Sequence, residues 1–173
     1  MALIHSESKP GAWVTIGNPA PVVLHSHPGT VLLVASRNNQ MAILLRSEDN
    51  ASSWSKPRNL TNVSPAARNW TWLATGPPGG IQLPSGRVIV NCDHKKGPFN
   101  GGTGRETIFS HVMYSDNFGS TFSVSDPIPG GNECHSALTR EGSLLMTMRT
   151  NTLSRAFAWS TTAGRTWSAP TTS

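Results

Sequence analysis

An eight-residue pattern that occurs three times constrains this chain more than any other feature. It spans residues 47–54, 115–122 and 160–167. Each copy opens on Ser, carries Asp49, Asn117 or Thr162 two residues on, a small residue (Ala51, Gly119, Gly164) at the fifth place, and an aromatic (Trp54, Phe122, Trp167) at the eighth. Each follows a strand-like run, at 41–46, 108–114 and 156–159. The spacing has a physical reason. Ser and Asx side chains accept backbone N–H bonds inside a turn, and glycine adopts backbone angles that other residues resist. The aromatic then packs over the turn. These are stapled β-hairpins, so Asp49 is read as a structural residue and not as a catalytic acid.

Two further strand-like runs precede each hairpin: 21–24 and 30–36, 80–83 and 87–92, 134–139 and 143–149. Short turns such as Pro84-Ser85-Gly86 and Arg140-Glu141-Gly142 join them. No window sustains the i, i+3, i+4, i+7 apolar spacing of a helix, whereas β-branched runs recur between turn signals. The class is therefore all-β. Repeated units of four antiparallel strands are propeller blades, and a generic sandwich gives no reason for three similar staples. The expectation is one partial propeller over 1–173, with blades at roughly 13–62, 70–128 and 129–173.

Composition excludes more than it assigns. Charged residues make up 13% of the chain, about half the usual share of ~25%. The net charge of +5 is scattered, with Lys95-Lys96 as the one adjacent pair, so nothing resembles the basic stripe of a nucleic-acid binder. No stretch reaches the ~18 apolar residues of a membrane helix, and the first ten residues lack the apolar core of a signal peptide. The two cysteines, Cys92 and Cys134, form no framework and no metal motif. Cys134-His135 are strand neighbours, which point to opposite faces. His25-x-His27 and Asp93-His94 lack a third ligand at useful spacing, so no zinc site is expected.

Specific segments around the hairpins carry a family resemblance. The hairpin pattern resembles the Asp box, or BNR repeat, of sialidases (neuraminidases). Gly17-Asn18-Pro19-Ala20-Pro21-Val22-Val23 resembles the strand-opening Asn-Pro-x-Pro segment of that family. The run Trp72-Leu73-Ala74-Thr75-Gly76-Pro77-Pro78-Gly79-Gly80-Ile81-Gln82-Leu83 is similar to its Ala-x-Gly-Pro-Gly-x-Gly-Ile-Gln-Leu stretch. Pro129-Gly130-Gly131-Asn132-Glu133-Cys134, then Gly142-Ser143-Leu144-Leu145 and Met148-Arg149, resemble its Asn-Glu-Cys segment and the strand that follows. The likeness runs from about Trp13 to Pro170. It implies an all-β, sialidase-type β-propeller of six blades, of which this chain covers about three.

The resemblance also implies a chemistry: an exo-α-sialidase that releases terminal sialic acids from glycoproteins, glycolipids and oligosaccharides, with no cofactor. Such enzymes are retaining glycosidases with a Tyr nucleophile. Sialic acid carries a carboxylate at its anomeric carbon, which an anionic nucleophile would repel, so a Glu-activated phenol attacks instead. Three arginines clamp the carboxylate, and a loop Asp is the acid/base. Glu133 matches the activating Glu, and Arg149 the middle arginine. Asn18 and Trp72 match positions near the sugar pocket. Ala51, Pro78 and Thr162 depart from the pattern. No Arg-Ile-Pro segment supplies the first arginine, no loop Asp follows it, and the sole tyrosine, Tyr114, lies just before the second hairpin pattern. The chain thus holds two of the six principal residues, and alone it is expected to be inactive. A non-catalytic sialoside-binding or scaffold propeller module is the alternative. Half a ring also leaves blade edges open to self-association.

Overall fold

A computed structural model describes residues 3–97 and 107–172. Twelve strands build three successive sheets of four, all antiparallel. The first contains β1 (Ile16–Val23), β2 (Val31–Arg37), β3 (Met41–Ser47) and β4 (Arg58–Asn59) in that order. The second contains β5 (Trp72–Gln82), β6 (Val88–Lys96), β7 (Thr107–Ser115) and β8 (Ser123–Val124), with β9 (Ile128–Pro129) added against β7. The third contains β10 (Cys134–Leu138), β11 (Leu144–Met148), β12 (Ala156–Ser160) and β13 (Thr171–Thr172). Helix is confined, among the described residues, to a 3-10 turn at Thr61–Val63 and one α-turn, α1 (Pro65–Arg68), between the first two sheets.

The first strands of the sheets lie side by side, with β5 between β1 and β10. A Cβ on Gly79 would meet the Pro21 carbonyl, and one on Gly76 the Cys134 carbonyl, so the three backbones approach closely. Both β1 and β5 run longer than the apolar pattern suggests. The strand-like runs at 21–24 and 80–83 cover only their later parts, and bulges between Gly17 and Ala20 and between Thr75 and Gly80 let the ladder continue through the Gly/Pro-rich openings. The bulges carry Asn18 and the start of β5 into the fold.

Strand β6 is the keel. Val88, Val90 and Cys92 pack into a core with Ala20, Val22, Leu32 and Leu44 of the first sheet. Ile89, between them, packs with Leu144, Met146 and Met148 of the third. Period-two alternation thus gives each neighbour one face of the same strand. Both faces are covered, which is why Val88, Ile89 and Val90 can be apolar in succession.

The three hairpins have one hydrogen-bond pattern. Ser47, Ser115 and Ser160 Oγ accept the N–H four residues on, at 2.9, 2.8 and 3.0 Å. Asp49 Oδ1, Asn117 Oδ1 and Thr162 Oγ1 likewise accept the N–H of Ser53, Thr121 and Thr166, at 2.8, 2.8 and 2.9 Å. The Ser53 hydroxyl and N–H hold the Asp49 carboxyl down to about 2, so it stays ionised as an acceptor. Each turn also needs two consecutive left-handed residues: Asn50-Ala51, Phe118-Gly119 and Ala163-Gly164.

Two of those turns dock on the preceding sheet. A Cβ on Gly119 would come 2.8 Å from Leu32 Cδ1, and one on Gly164 3.1 Å from Ile89 Cδ1. Arginines fasten the same joints. Arg87 holds Asp116 with two bonds (2.7 and 2.8 Å) and donates to the Ala163 carbonyl at 3.0 Å. Arg46 holds Glu48 at 2.9 Å and donates to the Phe118 carbonyl at 3.2 Å. Gly119→Ala combines left-handed strain of about 1–2 kcal/mol with overpacking of ~1–3 kcal/mol. It should lower the unfolding free energy by at least about 2 kcal/mol in urea titration. Ala51 is exposed at φ +65, so Ala51→Gly should change stability by less than about 1 kcal/mol, in the stabilising direction.

Candidate active site

The staples close the C-terminal ends of β3, β7 and β12, and the opposite end of the strands holds the candidate residues. There the turn into β10 is tightly built. Gly130 is left-handed at φ +76. A side chain on Gly131 would overlap Ser110 Oγ and Met148 Sδ. Ser110 Oγ donates to the Asn132 carbonyl at 2.6 Å, and Asn132 Oδ1 accepts the Glu133 N–H at 2.7 Å. The ladder then extends past β10 and β11. Asn132 N–H donates to the Arg149 carbonyl and Arg149 N–H to the Glu133 carbonyl, both at 2.9 Å.

Glu133 and Arg149 are thus cross-strand partners, and Arg149 Nη1 reaches Glu133 Oε2 at 3.2 Å. Their side chains are 44% and 61% exposed. A pair this open contributes only about 0–1 kcal/mol, so a ligand carboxylate can replace Glu133 on the guanidinium at little cost.

Asn18 lies at the same end, in the β1 bulge, left-handed at φ +54. Its carbonyl accepts the Thr75 hydroxyl of β5. Trp72 opens β5 opposite Lys95, whose Nζ stands 5.5 Å from its ring centroid. Among the described residues no hydrogen bond joins the side chain of Asn18 or Trp72 to the Glu133–Arg149 pair. Tyr114 is elsewhere, beside the second staple with Arg87 4.6 Å from its ring centroid.

Sequence reasoning passed over the polar face of β6. Asn91 is buried, with Nδ2 donating to Gly79 O (2.9 Å) and Oδ1 accepting from Ser136 (2.6 Å). Asp93, two residues on and on the same face, is fully buried, and neither carboxyl oxygen has a hydrogen-bond partner among the described residues. Burial, reinforced by the Glu133 charge, pushes its carboxyl up to about 7 against the pull of Lys95 and Arg149. The signal was available: Asn91 and Asp93 alternate with Val90 and Cys92 in a strand that opens on Val88-Ile89-Val90.

The other face of β6 presents His94. Its Nδ1 lies 3.0 Å from Nδ1 of His111, and its ring stacks 3.9 Å from Trp70. Burial lowers both imidazoles, His94 to about 3, so the pair is neutral. Asp93 and His94 therefore serve different interfaces. Cys134 is buried with its thiol pushed up to about 12 by burial, which leaves no thiolate at neutral pH. Among the described residues no group of three His, Cys, Asp or Glu is placed to hold a metal, and no helix is long and apolar enough to cross a membrane. A concavity of about 700 Å³ lies at the stapled end, lined by Arg46, Arg58 and Phe118, remote from Glu133.

Residues 4–173 match the family described as BNR repeat-like domain. The chain belongs to that family. Its curated relatives are sialidases. Human Sialidase-4 is 31% identical over 129 residues, which cover 69% of this chain and 26% of that protein. Sialidase-3 of Rattus norvegicus is 29% identical over 154 residues, covering 80% and 36%. Among solved structures, the Hadza microbial sialidase Hz136 superimposes with a TM-score of 0.77 at 23% identity, over 90% of this chain and 33% of that one. Trypanosoma rangeli sialidase in complex with sialic acid gives 0.73 at 16%, over 95% and 29%. The three sheets are therefore blades of a sialidase-type propeller. The chain spans about a quarter to a third of the length of these proteins.

The buried titratable groups of this sialidase-family chain predict a pH dependence of known sign. A carboxyl raised from about 3.8 to about 7 on folding stabilises fully below the lower value and loses that stability as pH rises between them, by up to roughly 4 kcal/mol. His94 and His111, lowered on folding, act oppositely and lose stability as pH falls through about 6.5. Asp93→Asn removes only the first slope. Its melting temperature relative to wild type should therefore climb steadily from pH 4.5 to pH 7.5 in calorimetry.

Proposed function

We propose that this chain contributes the Glu133 and Arg149 portion of an exo-α-sialidase site acting on terminal sialic acids of glycoconjugates. One observation carries the reading: within a sialidase-type propeller, an exposed Arg–Glu pair stands at the strand ends opposite the staples, held in register by the β10–β11 ladder. Arg149 offers its guanidinium to the substrate carboxylate, the planar anion that Arg recognises best. When that carboxylate takes the guanidinium, Glu133 is released as a base. It is then free to accept the proton of a phenol that attacks the anomeric carbon, the Tyr variant of retaining glycosidase chemistry.

Tyr114 cannot be that phenol, since it sits at the stapled end under Arg87. No other tyrosine occurs in these 173 residues, so they do not supply the phenol. The same placement favours a second reading for the chain by itself, a sialoside-binding module that holds the carboxylate and performs no hydrolysis.

Binding and turnover separate the two. Arg149→Ala should weaken binding of free sialic acid about 10- to 100-fold by calorimetry, the loss of a charge-assisted hydrogen bond. Glu133→Gln should leave that affinity within about threefold, because it removes a base and not a clamp. With a fluorogenic sialoside the chain alone should show no turnover. Any longer form that does turn over should lose roughly 100- to 10,000-fold in kcat on Glu133→Gln. Sialic acid binding that survives Arg149→Ala would overturn the assignment.

A further inference from the structure

We propose that Asp93 is a positioning residue beneath the candidate site: while it keeps its proton, Arg149 is left for Glu133 and for a ligand carboxylate, and once ionised it draws Arg149 inward.

The geometry makes the case. Asp93 lies on the face of β6 that meets the third blade, beyond the Asn91–Ser136 bond and toward the strand ends opposite the staples. It is fully buried, and both carboxyl oxygens lack a partner among the described residues. Native interiors rarely leave such a group unpaired, and where they do the group generally has a task. An ionised carboxylate with no donor is far costlier there than a neutral acid.

The neighbouring elements determine where its charge can go. Across the ladders stand Ala74 of β5 and Ser110 of β7, which bring no charge, and the Ser110 hydroxyl is already given to Asn132. On β10, Cys134 keeps its thiol proton, and His135 lies one step away beside Asn91. His94 and His111 turn toward Trp70. The charged groups that act on Asp93 are Glu133, Lys95 and Arg149. Lys95 stands over Trp72. Among the described residues the Arg149 side chain is held by one exposed bond, to Glu133, so it is the cation with most freedom to respond.

Two consequences follow from ionisation, and both oppose a carboxylate ligand. A second negative charge appears behind Glu133, and the guanidinium is shared with a buried competitor. Burial and the Glu133 charge place this event near pH 7.

The inference rests on the role proposed above for Arg149 only in its ligand arm. The first arm needs no ligand: the Arg149 Nε–Hε signal, assigned by its loss in Arg149→Ala, is followed by NMR from pH 5 to pH 9. Wild type should show an inflection near pH 7 that is absent from Asp93→Asn. A wild-type signal without it, or an inflection that persists in Asp93→Asn, overturns the proposal. The second arm measures free sialic acid affinity at pH 6 and pH 8. About a tenfold loss is expected in wild type and less than twofold in Asp93→Asn, whereas equal losses in both would refute control of the ligand site by Asp93. If the inflection is present and sialic acid binds at neither pH, Asp93 still governs Arg149, and it is the sialoside reading of the site that fails. Ser136→Ala, which disturbs the same interface without touching the carboxyl, should keep the inflection, and its loss there would reduce Asp93 to a packing residue.

Discussion

A turn that runs left-handed for two residues, and does so against a neighbouring blade, is the constraint on which the rest of this structure depends. At Gly119 and Gly164 the missing Cβ is what lets the turn close onto Leu32 and Ile89. The Ser and Asx or Thr side chains then hold the turn shut through the same two acceptor bonds in every copy. Arg46 and Arg87 reach from their own hairpin acids to the backbone of the next turn. They occupy different strand positions, one in β3 and one before β6. The chain has thus met one mechanical need, tying blade to blade, with the same residue type from two directions. Buried or part-buried bidentate arginine is well suited to it, because its fork satisfies a carboxylate and a carbonyl together.

Fixing the stapled ends frees the other end. There β1 and β5 carry bulges, and β10 and β11 end on an exposed ion pair. Asn18 adopts a backbone conformation that costs a non-glycine residue energy, and Asp93 is buried unpaired. Asn18 is tied to β5 through the Thr75 hydroxyl, and Asp93 lies in the strand whose Val88, Ile89 and Val90 pack into two cores.

Much of the fold was legible because its determinants are local. Ser, Asx, small residue and aromatic at fixed places specify a hairpin by hydrogen bonds that span only four residues, and three copies specify the blades. The openings of β1 and β5 were not legible. Gly76-Pro77-Pro78-Gly79 reads as a breaker, and only pairing with β6 on either side makes it a bulge within one strand. Glu133 and Arg149 were found by likeness to a family, since neither has a local signature, and their pairing depends on a ladder between residues 16 apart. Asp93 was weighed as half of a ligand pair with His94 and dismissed. The reason it matters is tertiary: the third blade covers one face of β6 and the Trp70 cluster the other, which sets two adjacent titratable residues in unrelated surroundings.

Those surroundings also bear on how the proposed site could be both open and responsive. An exposed Arg–Glu pair in water is weak, and in isolation it would neither select a ligand strongly nor respond to pH near neutrality. A carboxyl buried behind it interacts through low-dielectric protein, where charges are screened far less than at the surface. The buried member therefore supplies the sensitivity, and the exposed members supply access. Exchanging the positions would defeat both proposed roles. A buried Arg149 could not meet a ligand carboxylate, and a solvated Asp93 would ionise near pH 4 and hold its charge throughout the neutral range. The order found here, with the acid beneath and the guanidinium above, is the arrangement in which proton binding at depth changes what the surface cation is free to hold.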